Sequence, residues 1–216
     1  MKKAFEPEYF DHDYFFGPKG QFGGNGYEGS KDTAYEMAET LHHLCKPKTS
    51  LEIGCALGFM VQRLQELGVD AHGFDHSEYA VANGFVGSLS TGSAEKFPYH
   101  EGRKFDLVYS SDLMEHILPE QIDACLAECS KFAGEWIVHW VSTAFEKDIG
   151  DGTKLAGMDK THISMYTPEW WFKKMRQFCP DKWVITEIFG NDFIYVDEEK
   201  FNTTIYILSK ERFIKL

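Results

Sequence analysis

Apolar residues return every three or four positions between residues 31 and 45, at Ala34, Met37, Ala38, Leu41, Leu44 and Cys45. That period puts them along one face and predicts an amphipathic helix. A short apolar run follows, Ser50-Leu-Glu-Ile-Gly-Cys55, which reads as a strand closing on a glycine. Met60, Val61, Leu64 and Leu67 restore the helical period as far as Gly68, and Asp70–Asp75 is a second short strand. Strand, turn, helix, strand is the opening of a parallel, doubly wound sheet.

The alternation continues. Phe105–Ser111 is a strand, and Pro119 opens a helix bearing Ile122, Cys125, Leu126, Cys129 and Phe132. Proline suits a first helical turn, where its missing N–H is not needed. Trp136–Val141 is another strand, and Thr167-Pro-Glu starts a helix with a capping threonine. Trp183–Phe189 and Thr204–Leu208 follow one another without a helix between them, which predicts an antiparallel pair. Residues 1–29 are rich in aromatics and glycine, lack a period and read as an irregular cap. The expectation is one α/β domain over residues 1–216, with 1–48 as its N-terminal cap and helix region.

Composition narrows the class. A chain of 216 residues with 43% hydrophobic and 26% charged positions suits one soluble domain with a full core. The net charge of −12 argues against nucleic acid and against anionic membranes, both of which call for a basic surface. The five cysteines (Cys45, Cys55, Cys125, Cys129 and Cys179) form no Cys-x-x-Cys, which points to buried thiols in a reducing, cytoplasmic compartment. No apolar run is long enough to span a membrane, and the N-terminus has no apolar core of a signal peptide.

The chemistry concentrates in Glu52-x-Gly54-x-Ala56-x-Gly58, with Asp75 following Gly54 by 21 residues. A glycine at a strand end lets the chain turn sharply and lets a ligand approach the backbone. An acid at the end of the next strand accepts hydrogen bonds from ribose hydroxyls, so a nucleoside-containing ligand is expected. The dinucleotide fingerprint would need glycines at 54, 56 and 59. Ala56 and Phe59 stand at the last two, which weakens that reading.

These residues resemble motif I of the class I S-adenosylmethionine-dependent methyltransferases of small-molecule type, with Ala56 in place of the middle glycine. Gly73-Phe-Asp-His-Ser77 resembles the second motif of that family. Thr91-Gly-Ser-Ala-Glu-Lys-Phe-Pro98 resembles the third, and Phe105–His116, ending in a Glu-His pair, the fourth. The resemblance implies a Rossmann-like, doubly wound, seven-stranded sheet, mostly parallel with an antiparallel terminal strand. It implies S-adenosylmethionine as cofactor, bound by Glu52, Gly54, Cys55, Ala56, Gly58, Asp75, His76, Ser93, Ala94 and Ser111. Ser93 stands where an aspartate is usual; its hydroxyl accepts a hydrogen bond without charge assistance. Tyr14 and Tyr27 lie in a segment resembling the aromatic leader of such enzymes, and Tyr27 is expected over the cofactor.

A hydroxyl or ammonium acceptor must lose a proton, and histidine is matched to that near neutral pH. His116, after the fourth motif, and His162, in a loop at the carboxyl edge of the sheet, are the expected catalytic residues. His139 lies within an apolar strand and reads first as a core residue. Asp112, His116, Asp148, Asp151 and His162 match no metal-ligand spacing, so no metal is expected. Gly23-Gly-Asn-Gly26 lacks the lysine of a phosphate loop. One of Trp170 and Trp171 is expected in the core. Ser111-Asp-Leu-Met stands where amide and base methylation would want Asn/Asp-Pro-Pro-Tyr, which favours a small-molecule acceptor. Residues 159–171 resemble methyltransferases of sugar and secondary-metabolite pathways. Two other readings are a nicotinamide-dependent oxidoreductase and a non-catalytic binding protein on the same fold.

Overall fold

The computed structural model describes residues 6–17, 23–144, 161–178, 184–189, 194–196 and 199–209. Asp148, Asp151, Cys179 and Trp183, and residues 159–160 of the 159–171 stretch, lie outside them. Strands β1 (Thr49–Ile53), β2 (Asp70–Asp75), β3 (Leu89–Thr91), β4 (Phe105–Ser111), β5 (Ala133–Ala144), β6 (Val184–Phe189), β7 (Ile194–Val196) and β8 (Glu199–Ser209) make one sheet. Its order is β3-β2-β1-β4-β5-β8-β6, with β7 paired to β8 off the main path. β1 to β5 pair in parallel, and β8 runs antiparallel to both β5 and β6.

Seven strands on the main path agree with the expected sheet. The antiparallel strand is last in sequence but interior in space. β7 is an addition that the hydrophobic pattern does not show, because three residues carry no readable period. Its partner β8 is 11 residues long, so Phe201 pairs with Ile194 while Ile207 pairs with Thr186 of β6.

Alternate residues of each strand feed two separate cores, as the two-residue period of a strand requires. Leu51, Ile53, Val108, Ile137 and Val141 face α5 (Ile122–Phe132) and α6 (Pro168–Phe178). Leu107, Tyr109, Trp136 and Val138 face α2 (Lys31–Cys45) and α3 (Phe59–Glu66). Cys45, Cys125 and Cys129 are buried free thiols within these layers. Trp171 is fully buried, while Trp170 is half-buried and stacks on Tyr166 at 3.8 Å between ring centres. The Thr167 hydroxyl caps α6 by accepting the Trp170 N–H at 3.2 Å.

The N-terminal cap has an ordered core of its own. In α1 (His12–Phe15), Asp11 Oδ1 accepts the N–H groups of Asp13 and Tyr14, closing one helical turn. Phe10, Tyr14 and Phe15 then pack on Leu57 and on Ala80 of α4 (Glu78–Ala82). Among the described residues no helix is long and apolar enough to cross a membrane.

From β1 the chain winds outward through β2 to β3, then returns to place β4 on the other side of β1. The carboxyl ends of β1 and β4 therefore flank the crevice where open α/β sheets bind ligands.

Candidate active site

The turn after β1 is held in conformations that L-residues rarely adopt. Gly54, Ala56 and Gly58 have φ of 69°, 48° and 87°. A Cβ on Gly54 would lie 2.7 Å from Leu113 Cδ1, so the turn closes directly against the segment after β4. Ala56 bears the cost of a left-handed residue with a side chain, and a carboxylate offsets it. Asp75 Oδ2 accepts the Ala56 N–H at 2.9 Å, and Asp75 Oδ1 accepts the Ser77 N–H at 2.8 Å. Asp75 is therefore not the cap of α4; the Ser77 hydroxyl takes that place by accepting the Ala80 N–H. A carboxylate has about four acceptor positions, so Asp75 keeps capacity for two ribose hydroxyls.

Glu52 is buried beneath this turn. Tyr109 donates its hydroxyl to Glu52 Oε2 at 3.3 Å, and the Val61 N–H in the first turn of α3 also faces the carboxyl. Burial first, then the Asp75 charge, push its pKa well above the usual carboxylate range. No ion pair to Glu52 is present among the described residues. An uncompensated buried acid beside a backbone-lined turn suits a ligand that brings positive charge. Cys55 differs: its side chain points into the core against Gly73 and leaves only its backbone facing the turn.

Aromatic residues roof the turn. Tyr27 stacks on Phe59 at 5.1 Å and 2°, and Phe59 stacks on Phe85 at 4.4 Å and 7°. The Tyr27 hydroxyl lies close enough to Glu52, Cys55 and Asp75 for their charges, after burial, to raise its pKa. Phe59 thus fills, with a ring, the space a dinucleotide fingerprint keeps open with glycine. His76 packs on Phe10 at 4.8 Å, and Ser77 donates its hydroxyl to the Phe10 carbonyl. Ser93 is exposed and engaged locally, accepting the Glu95 N–H at 3.2 Å; Ala94 beside it is half-buried. Ser111 donates to Asp112 Oδ2 at 3.1 Å.

A second group gathers after β4. Residues Met114–His116 form a short 3-10 turn, and the Glu115 carbonyl accepts N–H bonds from Ile163 and Ser164, both at 2.9 Å. Ser164 Oγ donates to the Ile117 carbonyl. These bonds clamp the 161–164 loop to the turn and bring His162 beside His116, with ring centres 4.6 Å apart and planes at 84°. Burial, with His162 and then His76 adding to it, holds the His116 pKa well below its usual value, so this imidazole is neutral near pH 7. Glu115 is fully buried; Oε1 accepts the Ser142 N–H at 3.0 Å, and burial followed by the nearby Asp112 charge raises its pKa to about 8.

The two expected catalytic histidines are brought together, 46 residues apart in sequence. His139 is not with them: it is fully buried on the α5–α6 side, its Nδ1 2.7 Å from Ser110 Oγ. Glu115 is the residue the sequence reading did not single out. The Glu-His dipeptide at a strand exit was the available signal.

Residues 51–133 match a family model described as a methyltransferase domain. No curated protein sequence matches the chain significantly. Among solved structures, the YcgJ protein of Bacillus subtilis is similar with a TM-score of 0.65 and 11% identity, over 84% of this chain and all of that one. A S-adenosylmethionine-dependent methyltransferase of Archaeoglobus fulgidus gives 0.64 and 16%, over 92% and 97% of the two chains. Phosphoethanolamine N-methyltransferase 2 of Haemonchus contortus gives 0.66 and 12%, over 93% of this chain and 56% of that one. At these identities the likeness is one of fold.

Proposed function

We propose that this chain, of which residues 51–133 match a methyltransferase domain, works as an S-adenosylmethionine-dependent methyltransferase and acts on an oxygen or nitrogen of a small molecule. Glu52, Gly54, Cys55, Ala56 and Gly58, with Asp75, His76, Ser93, Ala94, Ser111 and Tyr27, form the cofactor site of one catalytic domain. Asp75 holds the ribose, and Glu52 lies beneath the charged end of the cofactor. The bound cofactor supplies an activated methyl group. Bound there, it would give that methyl to the acceptor's lone pair and keep the carbon–sulfur electrons on sulfur.

What remains for the protein is to position the acceptor and to take its proton. The observation that carries the reading is the His116–His162 pair, which lies beyond Leu113, the residue packed against Gly54. His116, half-buried and neutral, orients. His162, half-buried on the loop, faces the acceptor. A sugar or secondary-metabolite hydroxyl fits such a site; the acidic chain and the absence of an amide- or base-methylating motif favour a small acceptor over nucleic acid.

The test is turnover of His162→Ala across pH, using the first acceptor that supports S-adenosylhomocysteine formation in a panel of hydroxylated and aminated small molecules. Loss of a positioned acid–base group costs about 10²-fold or more in kcat. Unchanged turnover across pH removes His162 from this role.

A further inference from the structure

Glu115, His116 and His162 each offer one ligand-type atom, and these atoms all lie within 4.8 Å of one another. Two of the three side chains carry a buried polar atom without a hydrogen bond. Glu115 is fully buried, and while Oε1 takes the Ser142 N–H, Oε2 has no hydrogen bond; His116 Nδ1 is buried and likewise has none. Buried polar atoms without partners are few in native proteins, because each forfeits its hydration without replacement. Two such atoms within a cluster of three ligand-type side chains call for a shared partner.

We propose that Glu115, His116 and His162 form a site for a divalent first-row transition metal, whose remaining positions open toward the acceptor and receive its hydroxyl oxygen. Two imidazole nitrogens and one carboxylate oxygen suit Mn²⁺, Fe²⁺, Co²⁺ or Zn²⁺ better than Mg²⁺ or Ca²⁺, which favour all-oxygen shells. Three protein ligands leave open positions, the arrangement of a catalytic rather than a structural site. The surroundings have the features of a built site. The Thr161 carbonyl accepts from the His116 ring, the kind of contact that orients a ligating imidazole. The two bonds from Ile163 and Ser164 to the Glu115 carbonyl fix the loop carrying His162 against the turn carrying the other two ligands. Asp112, on the same turn, adds negative charge near His162 and Glu115.

The acceptor half of this inference rests on the methyltransferase reading; the metal half does not. It deepens that reading by selecting oxygen over nitrogen. A metal in this place lowers the pKa of a hydroxyl, whose proton passes to solvent while its oxygen forms the bond to the methyl carbon. The imidazoles then act by holding the metal, which takes over the part His162 would otherwise play as base.

The experiment is a Co²⁺ titration of the chelator-treated full chain, followed by visible absorption and calorimetry, with Zn²⁺ competition. One equivalent of Co²⁺ should bind, be displaced by Zn²⁺, and lose at least about 10-fold in affinity in both His162→Ala and Glu115→Gln, the range seen when a site loses a supporting group. Water-proton relaxation of the Mn²⁺-loaded chain should show exchangeable water on the metal. Thermal stabilisation by S-adenosylhomocysteine, measured on the same variants, reports that they are folded and tests the methyltransferase reading separately. Absence of a stoichiometric Co²⁺ site in the wild-type chain, or a site whose affinity survives His162→Ala, overturns the metal. A metal without exchangeable water overturns its open positions.

Discussion

Asp75 accepts the N–H of Ala56 at 2.9 Å, joining the end of the second strand to a residue held at a φ of 48° in the turn after the first. One carboxylate therefore fixes the turn and is, in the proposed site, the group that takes the ribose. Asp75→Ala removes the acceptor of two backbone N–H groups, Ala56 and Ser77. A stability loss of about 1–3 kcal/mol is expected in urea denaturation, together with loss of S-adenosylhomocysteine affinity by calorimetry. Asp75→Asn, whose side-chain oxygen can still serve one N–H, should lose less stability but remain impaired in binding.

Gly54→Ala and Gly68→Ala separate strain from function. Both glycines have positive φ, 69° and 88°, and a Cβ on Gly68 meets nothing within 4 Å. Each substitution should cost about 1–2 kcal/mol for the left-handed backbone. Gly54→Ala alone also displaces Leu113 at the cofactor crevice, so only it should weaken S-adenosylhomocysteine binding.

The aromatic roof predicts a ranking. Tyr27→Phe keeps the ring on Phe59 and should change cofactor affinity little. Tyr27→Ala removes the stack, worth roughly 0.5–1.5 kcal/mol, and uncovers the turn. Calorimetric affinities of the two variants in the order Phe above Ala check this; equal affinities would show that the ring covers no ligand.

His139 predicts an acid-sensitive core. Burial lowers its pKa from 6.5 to about 4, so the unfolded chain binds a proton that the folded chain refuses. Its contribution to stability is complete above about pH 6.5 and is lost as pH falls toward 4. The full difference is about 3 kcal/mol. His139→Gln, which cannot titrate, should show a shallower fall in urea midpoint than wild type between pH 7 and pH 4.5. Parallel slopes would mean that His139 is protonated in the folded chain.

Periodicity carried much of the fold. Helix α2 and strands β2 and β4 have the bounds that the hydrophobic pattern gives, because each packs one regular face against a core. Asp75 was legible because a strand end fixes both its position and its distance from Gly54. The approach of His162 to His116 was not, since it is made by backbone bonds from Ile163 and Ser164 to Glu115, and such bonds carry no side-chain signature. Glu115 itself was obscured for the same reason: a three-residue 3-10 turn has no period to show which side is buried. Spacing along the chain shows no metal motif, whereas proximity in space brings three ligand side chains together.

The most direct measurement is thermal unfolding of the full chain with S-adenosylhomocysteine and, separately, with NAD. A ligand at 100 times its Kd adds about 2.7 kcal/mol, which for a chain of this size raises Tm by roughly 5–10 °C. S-adenosylhomocysteine should produce that rise, Asp75→Ala should reduce it, and NAD should leave Tm unchanged. Stabilisation by NAD with none by S-adenosylhomocysteine would contradict the assignment of the glycine turn to a methyl donor.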